Sequence, residues 1–249
     1  MALNYKIIFE DDSIAVIDKP AGLLSIPGRY ESGGANLKSL LQDKYAEIYT
    51  VHRLDRDTSG IMVFAKTAKA HKYLNDQFFN NEVEKFYHAV VKGIISSDEM
   101  EIDIPLKPDP AIKGASAPSA RGKESLTILK VLERYRIATL TECRLVTGRH
   151  HQLRVHVAAI GHPLLVDKLY GGEEAFFLSS IKKKFNIGRE KEERPTITRI
   201  SMHAYSIGFK HPDSGELIKF SAPYPKDLEV MVQLLSKYAS MPDHFSPGP

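Results

Sequence analysis

Residues 52–60 read HRLDRDTSG, and the next five, Ile61, Met62, Val63, Phe64 and Ala65, are all apolar. Arginine, two carboxylates, two hydroxyls and a glycine are thus packed into nine positions beside an apolar run. Charge this dense at the mouth of a buried strand is costly unless it is paired. A carboxylate held there by an arginine is one way to build a reactive site; a salt-bridged turn is the plain structural alternative. The pattern predicts a strand over 61–66 entered from a charged loop, with Asp55 and Asp57 as the first candidates for chemistry. Two positions apart on extended backbone, the two carboxylates would point the same way. Paired carboxylates suit work at a glycosidic bond; the other reading gives one a reactive role and makes the second a structural cap near Thr58 and Ser59.

Upstream of this segment, the apolar runs 7–9 and 14–17 flank Asp11 and Asp12 and predict a hairpin or two adjacent strands. Residues 19–22 read as a turn and 28–34 as a loop. Asn36 is placed to cap a short helix carrying Leu37, Leu40 and Leu41. Downstream, Thr67 is placed to cap a helix with Ala70, Leu74 and Phe78 on one face. Residues 83–91 alternate as a strand, with Val83, Lys85, Tyr87, Ala89 and Val91 on one side. Tyr87 there reads as core or as a functional ring. Residues 107–123 hold three prolines, several small residues and Lys107, Lys113, Arg121 and Lys123, which predicts a long, mobile, basic loop.

Residues 126–132 and 137–146 read as strands joined near Tyr135. After Thr147 and Gly148 a helix follows, with Leu153, Val157 and Ile160 as its apolar stripe, ended by Gly161 and Pro163. Strands over 202–209 and 217–220 and a helix with Leu228, Met231, Leu234 and Leu235 complete the chain. Strands dominate and no regular strand–helix alternation appears. The expectation is α+β: a large mixed, mostly antiparallel sheet flanked by helices and loops, in a single catalytic domain over 1–249, with its core at about 7–223 and a C-terminal helix at about 225–238.

Composition narrows the classes. Against 34 Lys and Arg stand 31 Asp and Glu, a formal charge of +3, so the distribution of basic residues matters more than their excess. Cys143 is the only cysteine, which excludes an internal disulfide and a cysteine-based zinc site and fits a reducing compartment. The N-terminus lacks a basic stretch followed by an apolar core, and no apolar run approaches the ~20 residues of a membrane span. The chain reads as soluble and cytoplasmic.

A second cluster, TGRHHQLRVH at 147–156, sets Arg149, His150 and His151 at the start of the predicted helix. Backbone N–H groups there favour anions, so the cluster reads as a phosphate site or as a solvated basic face. Arg154 follows beside the apolar stripe, where a half-buried arginine usually has a carboxylate partner. The histidines at 52, 150, 151, 156 and 162 lack ligand spacing: there is no HExxH, and His151 and His156 are five apart. No metal is expected.

Taken together, these segments resemble the RluA family of RNA pseudouridine synthases. The residues that carry the resemblance are IIFEDDSIAVIDKPAGLLSIP, HRLDRDTSGIMVFAKT, KFYHAVVKG, TGRHHQLRVHVAAIGHPLLVDKLYGG and SMHAYSIGFKHP, in the family's order and spread over residues 7–223. The resemblance implies that Asp55 is the catalytic aspartate, Tyr87 the active-site tyrosine and Arg154 the arginine that pairs with the aspartate. It makes Arg53 a site-shaping or backbone-contacting residue and sets Met202 near the uracil pocket, where the family more often has leucine. It implies isomerisation of uridines in ribosomal or transfer RNA, a reaction that needs no cofactor and no metal. Separately, a monomer without an obligate protein partner is expected.

Two departures stand out. His150 replaces the threonine of the family's TGRTHQIR, and the chain opens almost at once with the catalytic motifs, where many members carry an S4-type RNA-binding domain. RNA is therefore expected to be gripped by Lys113, Arg121 and Lys123 and by Arg149, His150 and His151. The role of the charged segment 182–199 is open. An RNA N-glycosylase and a catalytically inactive RNA-binding or ribosome-assembly module are the competing readings.

Overall fold

The computed structural model describes residues 4–28, 35–186 and 192–242. The expected loop at 28–34 and the middle of the charged segment 182–199 lie largely outside these residues.

Strands β1 (Lys6–Glu10) and β2 (Ile14–Lys19) form the antiparallel hairpin expected around Asp11. Asp11 Oδ1 accepts from the Ser13 and Ile14 N–H groups, at 2.8 Å each, which closes the turn as an Asx turn. Asn36 caps α1 (Leu37–Gln42) by accepting from the Ser39 N–H. The two-residue strand β3 (Tyr49–Thr50) pairs with β4 (Ser59–Ala65), which is buried along its whole length. Each large apolar side chain so buried stabilises by roughly 1.5–3 kcal/mol. Thr67 caps α2 (Ala68–Phe79), and Gln77, rather than Phe78, joins Ala70 and Leu74 in the buried face. Gln77 is accommodated because both ends of its amide bond the Lys210 backbone.

After β5 (Glu84–Lys92) and β6 (Glu99–Asp103), the stretch read as a loop contains a small hairpin, β7 (Leu106–Pro108) with β8 (Ser116–Pro118). That corrects the expectation over 107–123. Leu106, Ala115 and Ser116 are buried, and Leu106 exchanges two backbone hydrogen bonds with Lys123. Prolines end these strands rather than preventing them. The long strands β9 (Leu126–Arg134) and β10 (Ala138–Leu145) follow, then α3 (Gln152–Ala159), β11 (Met202–Lys210), β12 (Leu217–Ser221) and α4 (Lys226–Tyr238).

The chain groups into two compact units. The first takes Met1–Tyr87 with His203–Tyr224, the second His88–Met202 with Pro225–Pro249. In the first, β1, β2, β4 and β11 are hydrogen-bonded in that order, with β12 on β11. The β4–β11 pairing is parallel and the others are antiparallel, so the sheet is mixed. In the second, β5, β10, β9 and β6 follow one another, and the β10–β9 and β9–β6 pairs are antiparallel. The fold is α+β, as the strand-rich sequence pattern implies.

Gly60 shows why the charged loop can lead into β4. Its φ is +121°, and a Cβ there would lie 2.2 Å from the Ala204 carbonyl oxygen of β11. Only glycine permits that approach. Among the described residues no helix is long and apolar enough to cross a membrane.

Candidate active site

In the first unit, residues 52–58 are held from several sides. The Lys19 side chain is fully buried, and its ammonium donates to the carbonyl oxygens of Pro20 (3.0 Å), Leu23 (2.8 Å) and Arg56 (3.0 Å). The Gly22 N–H also donates to Arg56 O, at 2.9 Å. Ser25 Oγ donates to Leu54 O at 2.6 Å and accepts from the Leu54 N–H at 3.0 Å. A buried ammonium is tolerated only where strong acceptors replace its water, and the acceptors here are the backbone of this loop and of the turn at 20–23.

His52 fixes the other end. Its Nε2 accepts from the Val63 N–H of β4 at 3.0 Å, and its ring stacks on Phe78 with centroids 4.8 Å apart. Burial, and then the Lys85 charge, bring its pKa down to about 3. A neutral ring is what this arrangement requires, since a protonated Nε2 could not accept.

Between these anchors the Thr58 N–H donates to Asp55 O at 3.2 Å and closes a turn over 55–58. The backbone is therefore not extended, and Asp55 and Asp57 do not form the same-facing pair. Asp55 is half-buried and Asp57 is exposed, while Leu54 and Thr58 on either side are buried. Arg53 is exposed. Tyr87, in the part of β5 that belongs to the same unit, is 9% exposed. Burial first, and then the Asp55 carboxylate, raise its pKa above the ordinary tyrosine range. The ring is thus a neutral phenol within electrostatic reach of Asp55, not a phenolate.

The second unit carries the arginine motif. Gln152 opens α3 and is buried; its Oε1 accepts from the Arg149 N–H (2.9 Å) and Thr147 Oγ1 (2.8 Å), and its Nε2 donates to Leu126 O and Thr127 Oγ1. One amide thereby stitches the turn before α3 to β9. His156 is buried beside it, with Nδ1 2.9 Å from Thr127 Oγ1 and Nε2 3.0 Å from Ile104 O. Burial lowers the pKa of this ring, which has a structural task.

Arg154 has the carboxylate partner that its position calls for, and within its own unit that partner is Asp167. Arg154 Nε and Nη2 donate to Asp167 Oδ2 and Oδ1 at 2.7 and 2.8 Å. The side chains are 10% and 1% exposed, so this is a buried, forked ion pair.

His151, at φ 54°, ends the turn ahead of α3, and His150 stacks on it with centroids 3.8 Å apart. Burial, then the Arg154 and His150 charges, lower the His151 pKa to about 3. His150 Nδ1 lies 3.2 Å from Ser116 Oγ of β8. Arg149 is exposed, and its Nε donates to Glu124 O at 3.0 Å. Lys113, Arg121 and Lys123 are exposed on and beside the β7–β8 hairpin, and Met202 is buried at the start of β11.

The structure thus brings Asp55 and Tyr87 together in the first unit, and Arg149, His150, His151 and Arg154 together in the second. Three contributors were missed by the sequence reading: Lys19, Gln152 and Asp167. The first and last carried a readable sign. Each belongs to a pair of opposite charges that ends an apolar run, Asp18-Lys19 after Ile14-Ala15-Val16-Ile17 and Asp167-Lys168 after Leu164-Leu165-Val166.

The family described as RNA pseudouridylate synthase matches residues 13–159. Over 250 residues the chain is 37% identical to a dual-specificity RNA pseudouridine synthase RluA of Vibrio vulnificus, covering 97% of this chain and 93% of that protein. Over 253 residues it is 36% identical to a ribosomal large subunit pseudouridine synthase D of Neisseria meningitidis serogroup B, covering 99% of this chain but 64% of that protein. Among solved structures, the human RNA pseudouridylate synthase domain containing 1 superposes with a TM-score of 0.68 at 24% identity, over 97% of this chain and 98% of that one, which is a likeness of fold.

Proposed function

The chain belongs to the family of RNA pseudouridylate synthases, and from that premise we propose that it isomerises specific uridines of structured RNA, ribosomal or transfer, to pseudouridine. The reaction breaks the N1–C1′ bond, rejoins C1′ to C5, and moves the C5 proton so that N1 ends protonated. Substrate and product are isomers, and no group is exchanged with a third molecule.

In this reading Asp55 acts at the ribose or the ring as an ionised nucleophile or base. The observation that carries it is the anchoring of the Asp55 turn. Buried Lys19 and Ser25 hold the backbone on both sides of a half-buried carboxylate, next to an un-ionised Tyr87. Fixing a reacting group in this way supplies much of the orientation that catalysis needs. The target base must leave its stack, at a cost of about a few kcal/mol, and stacking on the Tyr87 ring returns roughly 1–3 kcal/mol. Arg154 is assigned to the same uridine on the strength of its motif, and the Asp167 fork holds its direction.

RNA is held through its phosphates by Lys113, Arg121 and Lys123 and by Arg149, His150 and His151, with Arg53 and Met202 shaping the uridine site. The reading includes a single catalytic domain over 1–249, with its core at about 7–223 and a helix at about 225–238, working as a monomer in the cytoplasm without an obligate protein partner or a metal. The test is to incubate the purified protein with ribosomal and transfer RNA transcripts and measure pseudouridine and free uracil together. Pseudouridine without uracil is the expected result; uracil release would make the protein a glycosylase, and neither product would make it a binding module.

A further inference from the structure

Tyr170 was given no role by the motifs, yet three polar residues of the second unit meet on its side chain. Its hydroxyl accepts from the Ser116 N–H at 2.9 Å and shares a 2.8 Å hydrogen bond with His151 Nδ1. Its ring meets the His151 imidazole edge-on, with centroids 5.6 Å apart. The guanidinium carbon of Arg154 lies 4.9 Å from the ring centroid. The same guanidinium is gripped along its edge by Asp167.

Asp167 and Tyr170 are parts of one tight turn. Asp167 O accepts from the Tyr170 and Gly172 N–H groups at 3.2 and 2.9 Å, and Asp167 Oδ1 accepts from the Leu169 N–H at 3.2 Å. A Cβ on Gly172 would lie 2.2 Å from Leu164 O, so the turn leaves no slack at its end.

We propose that Tyr170 is a positioning residue that ties the direction of Arg154 to the seating of the β7–β8 hairpin. A planar cation held along one edge can still tilt out of the plane of its carboxylate. The Tyr170 ring, lying below the guanidinium carbon, opposes that tilt, and the ring quadrupole favours the contact. The hydroxyl does the second job. It anchors the hairpin at Ser116, whose Oγ also reaches His150, and His150 stacks on His151. Exposed Lys107 and Lys113 on this hairpin are suited to RNA phosphates. Capture of the RNA backbone and aim of the arginine are thereby joined through one phenol. The inference rests on the reading that Arg154 acts in uridine isomerisation.

Two substitutions separate the two jobs. Tyr170→Phe keeps the ring and removes the hydroxyl; Tyr170→Leu removes both. With RNA substrate, Tyr170→Leu is expected to lower kcat by about 30-fold, the scale of a desolvated cation–ring contact. Tyr170→Phe loses the hydroxyl's bonds to both Ser116 and His151; because the Ser116 bond is the one that seats the hairpin, KM for RNA is expected to rise by about 5-fold with most of kcat kept. Both variants are melted alongside, because a merely structural role would lower kcat in step with the melting temperature in each. Folded Tyr170→Leu with the kcat of the parent, or equal kcat losses in the two variants, overturns the proposal. If Tyr170→Leu does not fold, Tyr170→Phe decides alone: raised KM with kept kcat supports the link, and any other pattern ends it. Arg154→Ala is the reference. Full activity in Arg154→Ala sinks the underlying reading, whereas a dead Arg154→Ala beside a normal Tyr170→Leu sinks only the positioning role.

Discussion

Replacing Asp167 by Asn tests the buried fork most sharply. The substitution keeps shape and removes the charge opposite Arg154, in a pair whose side chains are 10% and 1% exposed. The carbonyl oxygen of the new amide could still accept from Arg154 Nη2 and from the Leu169 N–H, but the amide nitrogen would face Arg154 Nε, donor against donor. Breaking a buried ion pair on one side costs about 3–5 kcal/mol. With one of two hydrogen bonds retained, the lower end applies, about 3 kcal/mol. For a chain of this size that corresponds to a fall in melting temperature of about 6–12 °C. The protein has no tryptophan, so far-UV circular dichroism in urea is the suitable probe. Activity should fall along with stability, since the arginine loses its direction. A loss below about 1 kcal/mol would be the value of a solvent-screened surface pair and would refute the claim that this fork is a buried structural support.

Gly60→Ala should cost about 3 kcal/mol or more, from a disfavoured φ and a clash with the Ala204 backbone; a melting temperature within a few degrees of the parent would contradict the geometry. His52 gives a pH signature. Its pKa is lowered in the fold to about 3, so the unfolded chain takes up the proton first and stability is lost as pH falls below about 6.5. Between pH 6.5 and 5, where carboxylates contribute little, this one ring accounts for about 1–1.6 kcal/mol. His52→Gln, which can still accept from the Val63 N–H, should reduce the slope of urea-measured stability over that window by that amount, the remainder belonging to rings such as His151, and an unchanged slope would clear His52 of the effect. Changing Lys113, Arg121 and Lys123 together to Ala should weaken RNA binding and flatten its salt dependence, by about 0.7–0.9 in log–log slope for each phosphate no longer neutralised; identical slopes would move the backbone grip elsewhere.

Local chemistry was legible in the sequence wherever one side chain acts on its own neighbourhood. Asn36 and Thr67 cap helices as their positions imply, and Asp11 closes the hairpin between two apolar runs. What stayed hidden depended on partners far along the chain. Residues 106–118 looked like loop because no apolar alternation marks three-residue strands. They are held instead by Lys123 and by the Tyr170 hydroxyl, 54 positions beyond Ser116. The Asp55–Asp57 spacing suggested a pair only if the backbone were extended, and the turn at 55–58 removes that condition. The place of Arg154 beside an apolar stripe called for a carboxylate and the resemblance offered Asp55, while Asp167, inside the arginine's own motif, was passed over. His156 and Gln152 read as helix residues, while their polar ends tie α3 to the Thr127 hydroxyl.

Everything proposed for the reaction turns on Asp55, presented by the anchored turn, as the group that carries uridine isomerisation. The deciding experiment is a position-resolved pseudouridine map of one RNA treated with the parent protein, Asp55→Asn or Asp57→Asn, each shown to be folded and to bind that RNA. No pseudouridine is expected with Asp55→Asn, at RNA affinity within about tenfold of the parent, and most of the parent's activity is expected with the exposed Asp57→Asn. Modification by Asp55→Asn at the parent's sites, or its loss with Asp57→Asn alone, would contradict the assignment.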